Sequence, residues 1–189
     1  MATMNVEEVG VGAALATGAI WVAPKGTTLP SDATSTLDSG TWSLLGFTSD
    51  AGVSISESSS NNAIYAWEGR TEVYNARTEY SESVSFVPIQ LNADVAKLTW
   101  GEDSVTVSGD NFSVKHHSQT LEPVCIVIET VPRTGIVKRY CGTFQLTERG
   151  EQTLNGTQVE GRQLTFKAIP DSDGYTMYEY TAYVSGTTA

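Results

Sequence analysis

The longest regular pattern in the chain runs from Thr71 to Val87, where two kinds of position alternate. Because successive side chains of a β-strand point to opposite faces, the pattern predicts a strand of about 17 residues, against a usual ~5–6. The even positions become apolar towards Val84 and Phe86, whereas the odd positions stay mostly polar. A strand this long either projects beyond its domain or is divided by a bulge near Ser81 to Ser83, and the two alternatives are compatible.

A short helix is predicted directly after this strand, over residues 90–100. Pro88 ends the strand because it has no N–H for a ladder hydrogen bond, and Asn92 is a good N-terminal cap. Gly101 is a typical residue after a helix C-terminus. One stripe of the helix carries the apolar residues Leu91, Val95 and Leu98. Two turns of helix are marginal alone, so we expect this helix to pack on a sheet.

The rest of the chain reads as short strands separated by turns. Further strands are predicted at residues 19–23, 42–49, 53–58, 63–67, 104–107, 111–115, 124–131, 136–147, 159–169 and 177–184. Turns are expected at residues 50–52 and 148–151, and a tight corner at Glu68-Gly69. The predicted fold is mainly β: a β-sandwich or half-open barrel of about ten strands with one short flanking α-helix, a long projecting hairpin and an N-terminal arm.

The length of 189 residues suits a single domain, 1–189. Within it we expect an N-terminal arm at residues 1–18, an exposed loop at 27–43, and a C-terminal strand or arm at 175–189. The loop is rich in Ser, Thr and Asp and has no periodicity.

The charge balance argues against binding to nucleic acid or to anionic membranes. The chain has 22 acidic and 11 basic residues, which gives a formal charge of −11. Affinity for DNA depends on Lys and Arg side chains that release counterions, and the sequence has no basic cluster. The first ten residues have neither a basic nor an apolar segment of the secretory type, so we expect synthesis in a cytoplasm. There Cys125 and Cys141 are expected to be free core thiols.

Catalytic and metal-binding motifs are lacking, and we expect neither an enzyme nor a cofactor. His116 and His117 are adjacent on a predicted strand, so their rings would point to opposite faces. Residues 171–174 resemble the start of a calcium loop without its later glutamate, so a turn is expected. The four tryptophans lie in separate elements and are expected to anchor cores or interfaces; the alternative is a sugar-stacking platform. They are Trp21, Trp42, Trp67 and Trp100.

Several fragments, in their order and spacing, resemble the major tail tube protein of siphophages. They are residues 18–30 (GAIWVAPKGTTLP), 45–53 (LGFTSDAGV), the strand at Trp67 with its long partner, the helix at 92–100, and residues 166–174 (FKAIPDSDG). The resemblance implies a structural virion protein, assembled in the host cytoplasm, that self-assembles into stacked hexameric rings. It also implies that the rings form a tube for DNA ejection in a phage with a long, non-contractile tail.

The resemblance further implies a set of partners. They are other copies of the chain, a tape-measure protein, a tail terminator, a baseplate or distal tail protein, and double-stranded DNA that passes through without specific binding. It carries over no catalytic residue, cofactor or metal ligand.

This role suggests which parts of the long strand face the lumen and which contact other subunits. An acidic or hydroxyl-lined lumen repels DNA over roughly 8 Å at physiological salt. The alternative is that the negative charge only aids solubility. The candidate lumen-facing residues are Arg77, Glu79, Ser81, Ser83 and Ser85, of which Arg77 fits least and could pair with an acid on the next subunit. The candidate inter-subunit residues are Trp67, Glu68, Gly69, Arg70 and Glu72.

Three other functions are compatible with parts of this pattern. A tailocin or a gene-transfer particle would use the same kind of tube subunit. A β-sandwich binding module, such as an adhesin or a carbohydrate-binding domain, would need an exposed aromatic platform. A small β-fold enzyme would need a pocket with convergent titratable groups.

Overall fold

A computed structural model describes residues 10–14, 18–133, 135–157 and 159–184. The described residues form ten β-strands and one α-helix, which confirms the mainly β prediction. The elements are β1 (Ile20–Pro24), β2 (Ser43–Leu44), β3 (Thr48–Tyr65), β4 (Glu72–Pro88), α1 (Ala93–Trp100), β5 (Val105–Ser108), β6 (Asn111–Val114), β7 (Val124–Arg133), β8 (Ile136–Gln152), β9 (Arg162–Ile169) and β10 (Tyr178–Tyr183).

Eight of the strands belong to one antiparallel sheet. Its order is β2-β1-β7-β8-β9-β4-β3, so β3 forms one edge. The long strand β8 pairs with β10 along its first part and with β9 along the rest. The remaining strands, β5 and β6, form a separate hairpin that contacts α1.

The two faces of the sheet bury two different hydrophobic clusters. The first core holds residues from five strands, and α1 contributes Leu98 to it. Its rings of Phe86 and Phe166 stack with centroids 5.4 Å apart. The second core lies on the opposite face and consists of Ala23, Trp42, Cys125, Val127 and Cys141. Alternation along β7 explains the division, because Ile126 and Ile128 point to one face and Cys125 and Val127 to the other.

The helix forms as predicted, although it begins at Ala93, later than expected. The side chain of Asn92 caps it by accepting a hydrogen bond from the Val95 N–H at 2.8 Å. Gly101, at φ 92°, follows its C-terminus and donates its N–H to the Lys97 carbonyl. Leu91 lies before the helix and is exposed, so only Val95 and Leu98 of the predicted stripe contact the first core.

Two predicted turns are in fact irregularities within long strands. The expected turn at residues 50–52 lies inside β3, where the register with β4 shifts between Thr48 and Val53. The expected turn at residues 148–151 lies inside β8, which continues to Gln152 with register shifts against β9. Both are irregularities of register, in which extra residues are accommodated within a strand without ending it.

The loop at residues 27–43 is held against the sheet by a buried ion pair. Arg139 and Glu129 lie opposite each other on β8 and β7, and both are buried. The Arg139 guanidinium donates to Glu129 Oε1 from Nε at 3.0 Å and to the carbonyls of Asp32 and Ser35 at 2.8 Å each. The second carboxylate oxygen of Glu129 accepts the indole N–H of Trp21 at 3.0 Å. Arg139 therefore anchors the loop to the sheet, although most residues of the loop are exposed.

The predicted N-terminal arm lies mostly outside the described residues, as do residues 185–189 of the predicted C-terminal segment. In the described part of the arm, Ala14 forms a bridge with Thr130 on β7. In the described part of the C-terminal segment, β10 is a regular strand paired with β8.

Candidate assembly surface

The hairpin of β3 and β4 extends well beyond the rest of the sheet. The two strands pair with each other from Thr48 and Pro88 to Tyr65 and Glu72. Strand β9 pairs with β4 only over Ser83–Phe86. Residues 57–82, which we call the projecting hairpin, therefore have no further strand beside them in the described structure. At ~3.3 Å per residue the hairpin reaches roughly 35 Å past its last contact with β9.

One face of this hairpin is a continuous band of hydroxyl groups, which we call the serine face. Its cross-strand pairs are Ser54 with Ser85, Ser56 with Ser83, Ser58 with Ser81, and Ser60 with Glu79. The hydroxyl oxygens of Ser56 and Ser83 lie 2.8 Å apart and share a hydrogen bond. The face continues onto β9 through Thr165 and Lys167, the partners of Ser85 and Ser83.

The structure brings four of the five sequence-predicted lumen candidates together on the serine face: Glu79, Ser81, Ser83 and Ser85. It also adds four serines of β3 that the sequence did not indicate. The sequence alone predicts separate short strands at residues 42–49, 53–58 and 63–67 in this region, so it does not indicate the continuous pairing of β3 with β4.

Arg77 lies on the opposite face of the hairpin from the other candidates. The register shifts between Ser60 and Asn61, which pair with Glu79 and Arg77, so Thr78 is an extra residue in β4. An extra residue reverses the alternation of faces along the bulged strand. Arg77 accordingly forms an exposed ion pair with Glu57 at 3.5 Å and lies over the Tyr80 ring at 4.3 Å.

The face that carries Arg77 has charged, aromatic and apolar side chains, in contrast to the serine face. Tyr80 and Glu82 alternate along β4 towards the buried Val84, and Thr176 donates a hydrogen bond to the Glu82 carboxylate. Burial and the neighbouring Glu82 raise the pKa of Tyr80. This face thus turns from polar to apolar as it approaches the first core, as the sequence predicts.

The end of the hairpin, residues 64–74, presents a group of exposed large hydrophobic side chains that we call the tip patch. Trp67 is 94% exposed, and the other members are Ile64, Tyr65, Val73 and Tyr74. The chain reverses through Gly69 and Arg70, with φ of 67° and 53°, and the Ala66 N–H donates to the Thr71 carbonyl at 2.8 Å. All five sequence-predicted inter-subunit residues, Trp67, Glu68, Gly69, Arg70 and Glu72, lie in or beside this reversal. Contiguous exposed hydrophobic patches of this kind mark interaction surfaces.

The other candidate sites are local packing arrangements. His116 and His117 follow β6 in irregular structure and not on a strand, which corrects the prediction for this pair. The His116 ring stacks on Trp100 at 3.7 Å, and His117 Nε2 lies 2.7 Å from Ser104 Oγ. Among the residues that the structure describes, no group of His, Cys, Asp or Glu could hold a metal ion.

The turn at residues 171–174 is stabilised by its own side chain. Asp171 Oδ1 accepts the N–H groups of Asp173 and Tyr175 at 2.9 and 3.0 Å, and the Tyr178 hydroxyl donates to Oδ2. The hydrogen bond from Tyr178, with those from the backbone, lowers the pKa of Asp171. The geometry is that of the expected Asx turn.

The tryptophans do not form a common platform. Trp42 is buried in the second core and Trp21 packs against it, whereas Trp67 lies at the far end of the hairpin. Trp100 stacks with His116 beside α1. Trp21 and Trp42 thus share the second core, whereas Trp67 and Trp100 belong to other parts of the fold.

The chain as a whole matches one family model. The model is described as phage tail tube protein, and it covers residues 2–183. The chain belongs to this family. No curated protein matches it. In the described part of the chain, no helix has the length and apolar character that a membrane span requires.

Membership in the tail tube family makes this chain a structural component of the phage tail, as the sequence resemblance implies. A structural tail tube family implies a non-enzymatic protein. It also suggests self-assembly into a tube together with other tail components. The projecting hairpin of this tail tube protein is a candidate surface for such assembly, because its described residues make few contacts with the rest of the subunit.

Proposed function

We propose that this tail tube protein forms hexameric rings that stack into the tube of a long, non-contractile phage tail. The observation that carries the proposal is the projecting hairpin, which contains the end of the 18-residue strand β3, a sheet edge that pairs on one side only among the described residues. A long unpaired edge is a template for pairing with another chain, and closure of a barrel removes all such edges. Repeated head-to-tail contacts close into a ring when the rotation between subunits permits it.

In this proposal the serine face lines the lumen. Its seven serines and Glu79 present hydroxyl groups and negative charge, so this part of the lumen offers no cationic side chain to DNA phosphates. Lys167 is a cation on the continuation of this face, next to Ser83. The salt-dependent affinity for DNA grows with the number of phosphates neutralised, so one lysine per subunit contributes little. The tube would then act as a conduit for ejection in which DNA slides without specific binding.

In this proposal the tube binds other tail proteins in its lumen and at both of its ends. A tape-measure protein would occupy the lumen before DNA, a tail terminator would cap one end, and a baseplate or distal tail protein would cap the other. Assembly would take place in the host cytoplasm. A phage-derived particle, such as a tailocin or a gene-transfer agent, would use the same subunit in the same way.

Size-exclusion chromatography and negative-stain microscopy of the purified protein test the ring assembly. We expect rings or tubes of constant width at high concentration, or on addition of a tail-tip seed. A matched variant replaces residues 57–82 by Asn-Gly, a two-residue hairpin turn, between the paired Ser56 and Ser83. It keeps both cores and the β4–β9 pairing, so it should fold but stay monomeric. A wild-type protein that never assembles, or a variant that still forms tubes, would refute the proposal.

A further inference from the structure

A cleft of about 550 Å³ opens on the face of the sheet that carries the first core. It lies between the C-terminal end of α1, the end of β1 and the segment that leads into β7. Its floor is apolar and includes Leu45, Leu98 and Phe166 of the first core. Clefts of ~300–1,000 Å³ with an apolar floor are typical binding sites for side chains or ligands of drug size.

The rim of the cleft carries more carboxylates than lysines. Lys97 pairs with Glu102 at 2.8 Å, which leaves Lys25 as the other cation of the rim. The remaining carboxylates are Asp94, Asp103 and Glu122, and all three are exposed. In the residues described, none of these three carboxylates lies within 4 Å of a cationic side chain.

The tip of the projecting hairpin has the complementary chemistry. Trp67 presents an almost fully exposed indole, and Arg70 follows it three residues later. Among the described residues Arg70 has no carboxylate within 4 Å. Tryptophan and arginine are the side chains that most often dominate the binding energy of protein interfaces.

We propose that Trp67 of one subunit inserts into this cleft on a second copy of the chain, with Arg70 directed at the unpaired carboxylates of the rim. The inference deepens the proposed ring assembly and rests on it. Trp67 is 94% exposed in its own subunit, so the contact must be made between copies. Because the hairpin tip and the cleft are different surfaces, the contact is head-to-tail. Each subunit inserts its own tip into one neighbour and binds the tip of another in its cleft.

Cross-linking between two singly substituted proteins tests the contact directly. Glu68→Cys places a thiol beside Trp67 without removing Trp67 or Arg70, and Gln119→Cys places one on the exposed rim of the cleft. The native Cys125 and Cys141 are buried and do not compete for the reagent. The control partner for Glu68→Cys is Leu154→Cys, which is exposed and does not line the cleft. Equal mixtures would be assembled into tubes and treated with a short bis-maleimide.

We expect cross-linked dimers from the mixture of Glu68→Cys with Gln119→Cys, and none from the mixture with Leu154→Cys or from either protein alone. Tubes that form normally without cross-linking at residue 119, or with equal cross-linking at residue 154, overturn the inference and leave the proposed function intact. Failure of the unsubstituted protein to form rings or tubes overturns both.

A second measurement uses the concentration needed for assembly. Trp67→Ala should raise it by about tenfold or more, because a buried tryptophan anchor is lost. Tyr183→Ala, which removes another exposed aromatic ring, should change it less than about twofold. Arg70→Glu should also raise it, and Asp103→Lys in the same chain should restore part of the loss. An unchanged assembly concentration in Trp67→Ala contradicts the inference.

Discussion

Arg77 and Glu79 lie on opposite faces of the projecting hairpin although only Thr78 separates them. Residues two apart share a face in a regular strand, but the register shift between Ser60 and Asn61 leaves Thr78 as an extra residue. Arg77 contacts Glu57 and Tyr80, whereas Glu79 continues the serine face. The bulge thus removes from the serine face the one cation that the alternation of β4 would have placed there.

Lysines on the serine face should slow the ejection of DNA. The triple change Glu79→Lys, Ser81→Lys and Ser83→Lys gives each subunit three cations on the proposed lumen wall, and each neutralised phosphate adds to a salt-dependent affinity. We expect slower ejection from assembled particles, with the largest effect at low salt, measured by the release of a fluorescent DNA stain.

A control for the triple lysine change places one cation on the other face of the hairpin. Ser59 pairs with Tyr80, and Ser59→Lys should leave the ejection rate unchanged. If the serine-face lysines also leave the rate normal, the serine face does not line the channel. Equal slowing by Ser59→Lys would show that the position of the added charge is irrelevant.

Loss of the buried Arg139 guanidinium should destabilise the protein by about 3–5 kcal/mol, because the carboxylate of Glu129 would remain buried without its charge partner. Arg139→Met keeps most of the side-chain volume and removes the donors to Asp32 and Ser35 as well. Chemical denaturation of the monomer followed by tryptophan fluorescence measures the change.

The neighbouring Lys138 provides the control for Arg139→Met. It pairs with Glu179 at a site where the two side chains are 31% and 48% exposed, so Lys138→Met should cost no more than about 1 kcal/mol. Similar losses of unfolding free energy in the two variants would mean that the buried Arg139–Glu129 pair stabilises the protein no more than the exposed Lys138–Glu179 pair does.

The sequence predicts the elements whose signals are local. The alternation of β4, the Asn92 cap and the Gly101 stop are each visible within a few residues, and the structure has all three. The sequence predicts β3 as separate short strands, because the Ser- and Asn-rich segment at residues 59–62 resembles a loop and only its pairing with β4 makes it part of a strand. The bulge lies at Thr78 and not near Ser81 to Ser83, where the sequence suggests one, so the sequence places Arg77 on the wrong face. The partners of Arg139 lie 10 to 107 residues away, beyond any local pattern.

Removal of the Asn92 side chain should cost about 1–2 kcal/mol. The carbonyl oxygen of Asn92 caps the helix through the Val95 N–H, and its amide group donates to the Leu45 carbonyl at 3.3 Å. Asn92→Ala loses both hydrogen bonds, whereas Asn92→Asp keeps the capping acceptor and loses only the donor. Denaturation midpoints should therefore rank the wild type first, Asn92→Asp second and Asn92→Ala last. Equal values for the two variants would exclude the cap as the main contribution.

The buried thiol of Cys141 should make the protein less stable as the pH rises above about 9. Burial raises the pKa of Cys141 from 9.0 to about 11, because the thiolate is poorly solvated in the second core. The folded pKa is higher than the unfolded one, so the contribution of this group is fully present below pH 9 and is lost progressively as the pH rises to 11. Denaturation of the wild type and of Cys141→Ala at pH 8 to 10.5 measures the effect of Cys141 together with its influence on Tyr180, whose pKa is raised by burial and by Cys141. The free energy of unfolding should fall more steeply with pH in the wild type, and parallel curves would show that Cys141 does not contribute to the pH dependence.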